Sequence, residues 1–453
     1  MSFPEHFTWG VASSAYQIEG ARQAGGRTPS VWDTFDGRPG NIFENHTAEH
    51  ACRHYEHLEQ DLDLIAGLGV KAYRFSISWP RVIPTPTGEP NDEGLRFYDR
   101  LVDGLLARGV QPFVTLYHWD HPQWMQDRGG WLNRESAGWF AHYAAAVVDR
   151  LSDRVSHWMT LNEPQIFIGH GHIDGLHAPG LKLSRSDSLL AAHHALLAHG
   201  KAVETIRTRA KKPPQIGWAP VGDTVYPADD TPESIEAART LTFSIRNPTG
   251  NWAFCNTWFA DPVVLGHYPE DGLRLFAGDA PKPRAGDMEQ ICQRLDFYGL
   301  NIYAGVPAAM DAQAKPALLG FQPGNPRTFF NWPVTPQALY WGPRFIHERY
   351  GLPIYITENG LASMDWVHRD GSVADPGRID YTARYLCELA RAIRDGVGIR
   401  GYFHWSILDN FEWGEGYRMR FGLIHVDYQT FKRTPKMSYG WYKSLIASNG
   451  QNL

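Results

Sequence analysis

A single (β/α)8 barrel spanning residues 1–453 is the fold class this sequence predicts, on three observations. Eight short apolar or β-branched segments recur along the chain. The stretches between them carry helical periodicity, and no repeat, low-complexity tract or Pro/Gly/Ser-rich linker divides the chain. Barrels with inserted loops reach this length around one core.

The eight segments lie at 7–12, 72–78, 112–117, 157–161, 215–219, 297–303, 353–357 and 401–405. After the second, 94–108 reads as a helix, because Leu95, Tyr98, Leu101, Val102, Leu105 and Leu106 form one apolar stripe and Gly109 can close its end. Thr231 is placed to cap a further helix with Pro232 in its first turn, where a missing N–H costs nothing. Segments 191–209 and 381–394 read as two more helices. The stretch 311–333, rich in Pro, Gly and Asn, reads as a long loop after the sixth strand, and long loops in compact domains are often functional.

Composition narrows the function. Apolar residues at 43% and charged residues at 20% describe a globular chain with a buried core. The net charge of −6, with only one short basic stretch at 207–212, excludes a nucleic-acid partner, which needs a basic face. No run of 18 apolar residues could cross a membrane, and residues 1–10 lack the layout of a secretory signal. Cys52, Cys255, Cys292 and Cys387 are scattered without a C-x-x-C pair, which fits a reduced, cytoplasmic protein. Neither a phosphate-cradling loop nor a nucleophile elbow is present, and Gly169, Gly171 and Gly175 do not make a dinucleotide fingerprint, so no cofactor is expected. His170, His172 and His177 are close together, but His347-Glu348 lacks a second His one helical turn on, and no metal is expected either.

In such a barrel the chemistry sits where the strands end. These ends are polar and aromatic: His118-Trp119-Asp120 at the third, Asn162-Glu163-Pro164 at the fourth, Asn301-Ile302-Tyr303 at the sixth, Glu358-Asn359-Gly360 at the seventh and His404-Trp405 at the eighth. The first runs toward Gln17. Asn-Glu-Pro alone reads as a helix start, and Thr-Glu-Asn-Gly alone as a strand leaving through a turn. Their joint placement gives two carboxylates at strand ends, and cleavage of a glycosidic bond needs two carboxyl groups flanking it. Retention calls for about 5–5.5 Å between them and inversion for roughly 6.5–9.5 Å, so the residues alone leave stereochemistry open.

The chain resembles the family 1 glycoside hydrolases, the β-glucosidase family, from residue 7 to about residue 442. The resemblance is carried by Phe-Thr-Trp-Gly at 7–10, Tyr-Gln-Ile-Glu-Gly at 16–20, Tyr-Arg-Phe-Ser-Ile-Ser-Trp at 73–79 and Thr-Leu-Tyr-His-Trp-Asp at 115–120. It continues through Thr-Leu-Asn-Glu-Pro at 160–164, Gly-Leu-Asn-Ile-Tyr at 299–303, Ile-Thr-Glu-Asn-Gly at 356–360 and Asp-Asn-Phe-Glu-Trp at 409–413. It implies a retaining, exo-acting β-glycosidase with Glu163 as general acid/base and Glu358 as nucleophile, Arg74 and Tyr303 orienting the latter. A transglycosylase using the same intermediate and a non-catalytic sugar-binding relative are the alternatives. Relatives that cleave thioglucosides carry Gln in place of the acid, so Glu163 implies ordinary O-glycosides.

By the same resemblance Gln17, His118, Trp119, Asn162, Asn301, Trp405, Glu412, Trp413 and Phe421 are expected to surround the terminal sugar. Phospho-β-glycosidases of the family usually carry Ser where this chain has Glu412, which implies an unphosphorylated sugar. Trp332, Gln165 and His177 are expected on the leaving-group side, where the sequence departs from the family: Gln165 stands where Trp is frequent, His121 where Leu is common, and Asn331 where Gly is usual.

Overall fold

The computed structural model describes residues 2–453. Eight strands form one parallel sheet: β1 (Thr8–Ala12), β2 (Ala72–Ser76), β3 (Gln111–Tyr117), β4 (His157–Asn162), β5 (Gln215–Ala219), β6 (Tyr298–Asn301), β7 (Ile354–Asn359) and β8 (Ile399–Trp405). Their spatial order is β5-β4-β3-β2-β1-β8-β7-β6. The two outer strands meet where Asp296 N–H donates to Ile216 O at 2.8 Å and Asn301 N–H to Pro220 O at 3.0 Å, so the sheet closes on itself. This is the expected (β/α)8 barrel.

The barrel interior is filled by side chains. Phe113, Met159, Phe297, Tyr355 and Phe403 meet there with the small Ala12, Ala72 and Ala219. Gly10 on β1 makes room for one of the large rings: a Cβ at that position would lie 2.4 Å from the Phe403 ring. Outside the barrel, Leu95, Tyr98, Leu101, Val102 and Leu105 of the second-strand helix are buried, whereas Leu106, read as part of the same stripe, is exposed; the helix begins earlier, at Asp92 (Asp92–Ala107). Thr231 caps Pro232–Thr242 through its hydroxyl, which accepts from Ser234 N–H at 3.3 Å.

The remaining differences concern element boundaries. The helix read at 191–209 starts at Arg185, because Ser184 accepts from Asp187 N–H and supplies the cap. The one read at 381–394 starts at Pro376. The sixth strand stops at Asn301, two residues before Tyr303, whereas the seventh runs on through Glu358 to Asn359. Part of the stretch read as loop is ordered into a sheet, in which Thr224–Pro227 pairs with Gly305–Met310 and the latter with Pro316–Leu318.

Candidate active site

Glu163 and Glu358 reach their places through irregular backbone. The β4 ladder with β5 shifts register between Met159 and Asn162, and the β7 ladder with β6 shifts between Ile356 and Glu358. Such irregularities re-aim the side chain that follows. Glu163 itself has left-handed backbone, φ 45°, and caps a short helix that opens at Pro164 (Pro164–Ile168). Pro164 excludes αR for the residue before it, which ordinarily leaves extended backbone; here the left-handed well is occupied instead. Trp119 and Trp413 also have positive φ, 78° and 48°. Non-glycine residues in this region cluster at functional sites. Beyond Glu358, Gly360 lets β7 lie against β8, since a Cβ there would sit 1.8 Å from Trp405 O.

Both carboxylates face one cavity of about 680 Å3 at the C-terminal end of the barrel. Its deep wall is made by His118, Trp119, Trp405, Glu412, Trp413 and Phe421, with Tyr303 beside Glu358. The aromatic faces brace one another: Trp119 lies 4.5 Å from Trp413, which stacks on Tyr16 at 5.9 Å. Trp332 and His177 line the outer part. So do residues not singled out for it in the sequence: Asn41, Ile166, His170, Leu176, Asp223, Phe254, Phe330 and Glu415.

Four residues expected around the sugar or its leaving group are buried and do not line this cavity. The side-chain amides of Gln17, Asn162 and Asn301 are already engaged by protein partners, their N–H groups donating and their carbonyl oxygens accepting. Gln17 Nε2 donates to Asn410 Oδ1 and Phe411 O, each at 3.0 Å, and to Glu412 Oε2 at 3.2 Å. Asn162 Oδ1 accepts from Arg74 Nη2 at 2.6 Å and from Asn301 Nδ2 at 3.1 Å, and its own Nδ2 lies 3.1 Å from His118 Nε2. Gln165, expected on the leaving-group side, turns away: its Nε2 donates to Val221 O at 3.2 Å and its Oε1 accepts from Val221 N–H at 3.3 Å. Two backbone partners exchanged with the loop after β5 outweigh exposure to the cavity.

The two carboxyl groups have different surroundings. Glu358 accepts from Arg74 Nη1 at 2.5 Å on one oxygen and from Tyr303 OH at 2.7 Å on the other. Arg74 is itself fixed by Thr115 Oγ1 (3.2 Å) and Thr357 O (3.1 Å), and the Tyr303 carbonyl accepts from the hydroxyls of Tyr381 and Tyr385 at 2.8 and 2.9 Å. Burial, followed by the charge of Glu358, holds the Tyr303 hydroxyl well above its usual pKa, so it remains a donor. Glu163 has one polar side-chain partner, Asn301 Nδ2 at 2.8 Å. Burial first, and the Glu358 charge second, push its carboxyl well above the usual range. Two nearby carboxyls whose environments drive them apart are the arrangement from which acid and base roles are assigned. Burial and then Arg74 keep His118 neutral.

Glu412 is also pushed up, from 4.5 to about 8, by burial and then by Glu358. The sign of its effect on stability follows. Below pH 4.5 the group is protonated in both folded and unfolded chains; from there to about pH 8 only the unfolded chain gives up its proton, so stability falls across that window and levels above it. Glu412→Gln is therefore expected to melt above the native protein at pH 8 and to lose that advantage as the pH approaches 4.5. Thermal scans at both ends check this, and a difference independent of pH would contradict it.

The geometry has clear counterparts among known proteins. Residues 1–451 match the glycosyl hydrolase family 1 profile. The chain is 43% identical to β-glucosidase A of Thermotoga maritima over 449 residues, covering 99% of this chain and 98% of that one. It is 44% identical to a β-glucosidase of an Agrobacterium species over 450 residues, covering 98% and 95%. The solved β-glucosidase of Thermotoga maritima in complex with glucoimidazole superposes with a TM-score of 0.89 at 42% identity, over 99% of each chain. At this identity and coverage, with eight parallel strands closed around a pocket holding two carboxylates, the chain belongs to glycosyl hydrolase family 1.

Proposed function

We propose that this chain is a retaining β-glucosidase that removes the terminal non-reducing sugar of a β-D-glycoside. The Glu358 carboxylate attacks the anomeric carbon as the bond to the leaving oxygen breaks and Glu163 passes its proton to that oxygen. Water then attacks the same carbon, gives a proton to Glu163, and releases Glu358 from the glycosyl ester. Two inversions restore the β configuration. The observation that carries this reading is the contrast between the two carboxyls over one cavity: Glu358 set between a guanidinium and a phenol, Glu163 largely desolvated.

The deep wall supports recognition of one terminal sugar. Neutral His118 and the Glu412 carboxyl can share hydrogen bonds with vicinal hydroxyls, and Trp405 and Trp413 offer apolar planes to the C–H face of the ring. Glu412 also disfavours a phosphorylated sugar, because a carboxyl, protonated or not, supplies no positive charge to pair with a phosphate. Trp332, Phe330 and His177 would border the leaving group. A binding-only role is not favoured, since such a role does not require either carboxylate and both are present. The reading takes residues 1–453 as one barrel domain. It also places the chain in the cytoplasm, to which four free cysteines fit.

A panel of aryl β-glycosides followed by proton NMR tests it. The β-anomer of the sugar is expected first, with the highest kcat/KM on the glucoside; an α-anomer formed first, or no turnover across the panel, would contradict it.

A further inference from the structure

At the base of the loop that carries Glu412, Trp413 and Phe421 lies a buried ionic network that the chemistry above does not use. Lys436 Nζ, with a side chain 0% exposed, donates to Asp365 Oδ2 and to Asp409 Oδ1, each at 2.6 Å. Asp409, also 0% exposed, accepts from Gly422 N–H at 2.9 Å through the same oxygen and from Arg420 Nη1 at 2.7 Å through the other. Arg378 binds Asp365 at 2.5 Å and Asp375 at 2.8 Å, and reaches the carbonyls of Leu361 and Phe421.

The positions of these contacts matter more than their number. Asp409 opens the loop that carries Glu412 and Trp413, and Gly422 closes it directly after Phe421, so one carboxylate ties both stems of the loop that makes half of the sugar wall. Arg378 joins the exit of β7, just past Glu358, to that same closing stem. His404, next to Trp405 on β8, is kept neutral by burial and then by Arg378 and Lys436.

Ion pairs removed from water gain little stability over well-packed apolar groups, because desolvation offsets their attraction, and one use for them is to fix a single arrangement. Lys436 is the only amine in the cluster, and without it Asp365 and Asp409 would face each other with one cation fewer. We infer that Lys436 is a positioning residue for terminal-sugar recognition: through Asp409 it sets the stems of the 409–422 loop and thereby the place of Glu412 and Trp413 against the sugar. It touches neither the sugar nor the reacting atoms. The inference rests on the proposed function, since it takes Glu412 to meet the sugar.

The test is a double-variant cycle on an aryl β-glucoside with a good leaving group, using Lys436→Met, Glu412→Gln and the combination, with active sites counted by stoichiometric trapping. Lys436→Met is expected to raise KM by about 10-fold while kcat per active site stays within roughly 3-fold, and to cost much less in the Glu412→Gln background. A residue needed only for folding would lower the count of active sites and leave KM per site unchanged. That result overturns the inference, as do KM effects that multiply independently. Should Lys436→Met fail to fold, Arg420→Gln at the half-open edge of the network takes its place, with KM expected to rise by about 3-fold and an unchanged KM counting against the proposal. A native protein with no turnover at all would instead refute the functional reading on which this one stands.

Discussion

Replacing Glu358 by alanine is expected to lower turnover of an aryl β-glucoside by a factor on the order of 10⁴ or more, about 5 kcal/mol or more in barrier height. The size follows from the role: without the carboxylate no glycosyl ester forms, and no other acidic side chain beside the anomeric carbon has Arg74 and Tyr303 aimed at it. The vacated volume allows a second readout. A small anion such as azide, admitted where the carboxylate stood, attacks from the same face with no later displacement, so the product is the α-glycosyl azide. Near-normal turnover of Glu358→Ala, or rescue that yields the β product, would remove Glu358 from the mechanism.

The second large effect concerns Glu163 and depends on the leaving group. Glu163→Ala is expected to lose about 10²- to 10⁴-fold on alkyl or sugar leaving groups, which need a proton as they depart, and far less on activated aryl groups in the first step. The high carboxyl pKa of Glu163 adds a pH signature. As the pH rises through that value the acid is lost, so the alkaline limb of the native rate profile belongs to Glu163 and is expected to vanish in Glu163→Ala. Equal losses across a leaving-group series would contradict the acid role.

Much of the site was readable because barrel strands are short apolar runs that stop at polar residues. Glu163 and Glu358 stood out as carboxylates at such stops, and Trp405 at the end of the eighth. What local pattern did not convey is which neighbours stand in front of which. Asn162 and Asn301 end their strands and Gln17 follows the first strand in a helical turn, but their side-chain amides are already engaged by Arg74, Glu163 and Glu412. Gln165 follows Glu163 by two residues and still points away, because Val221 offers it both a carbonyl and an N–H.

The outer cavity was the least legible part. Asp223 and Phe254 come from loops with no periodic signal, and Asp223 is held by Arg246 far along the chain. The sheet that orders part of the 311–333 stretch contains Pro307 and Pro316, residues that argue against strand on sequence grounds; Pro316 opens an edge strand, and Pro307, in the middle strand, lies one position short of its ladder with that edge. The buried Lys436 and Arg378 gave no signal either, since a lone Lys or Arg in a polar segment reads as solvated surface; only the closure of β7, β8 and the C-terminal segment onto one another puts them inside.

The account depends above all on a covalent bond between Glu358 and the sugar. A 2-deoxy-2-fluoro β-glucoside with a good leaving group slows both steps, since fluorine destabilises a transition state of oxocarbenium character, and the second step more in practice because its leaving group is poorer. Mass spectrometry of the treated protein and its peptides is the direct measurement. One sugar per chain, on the peptide holding Glu358, is the predicted result; a label on any other residue, or none after time-dependent inactivation, would contradict the account.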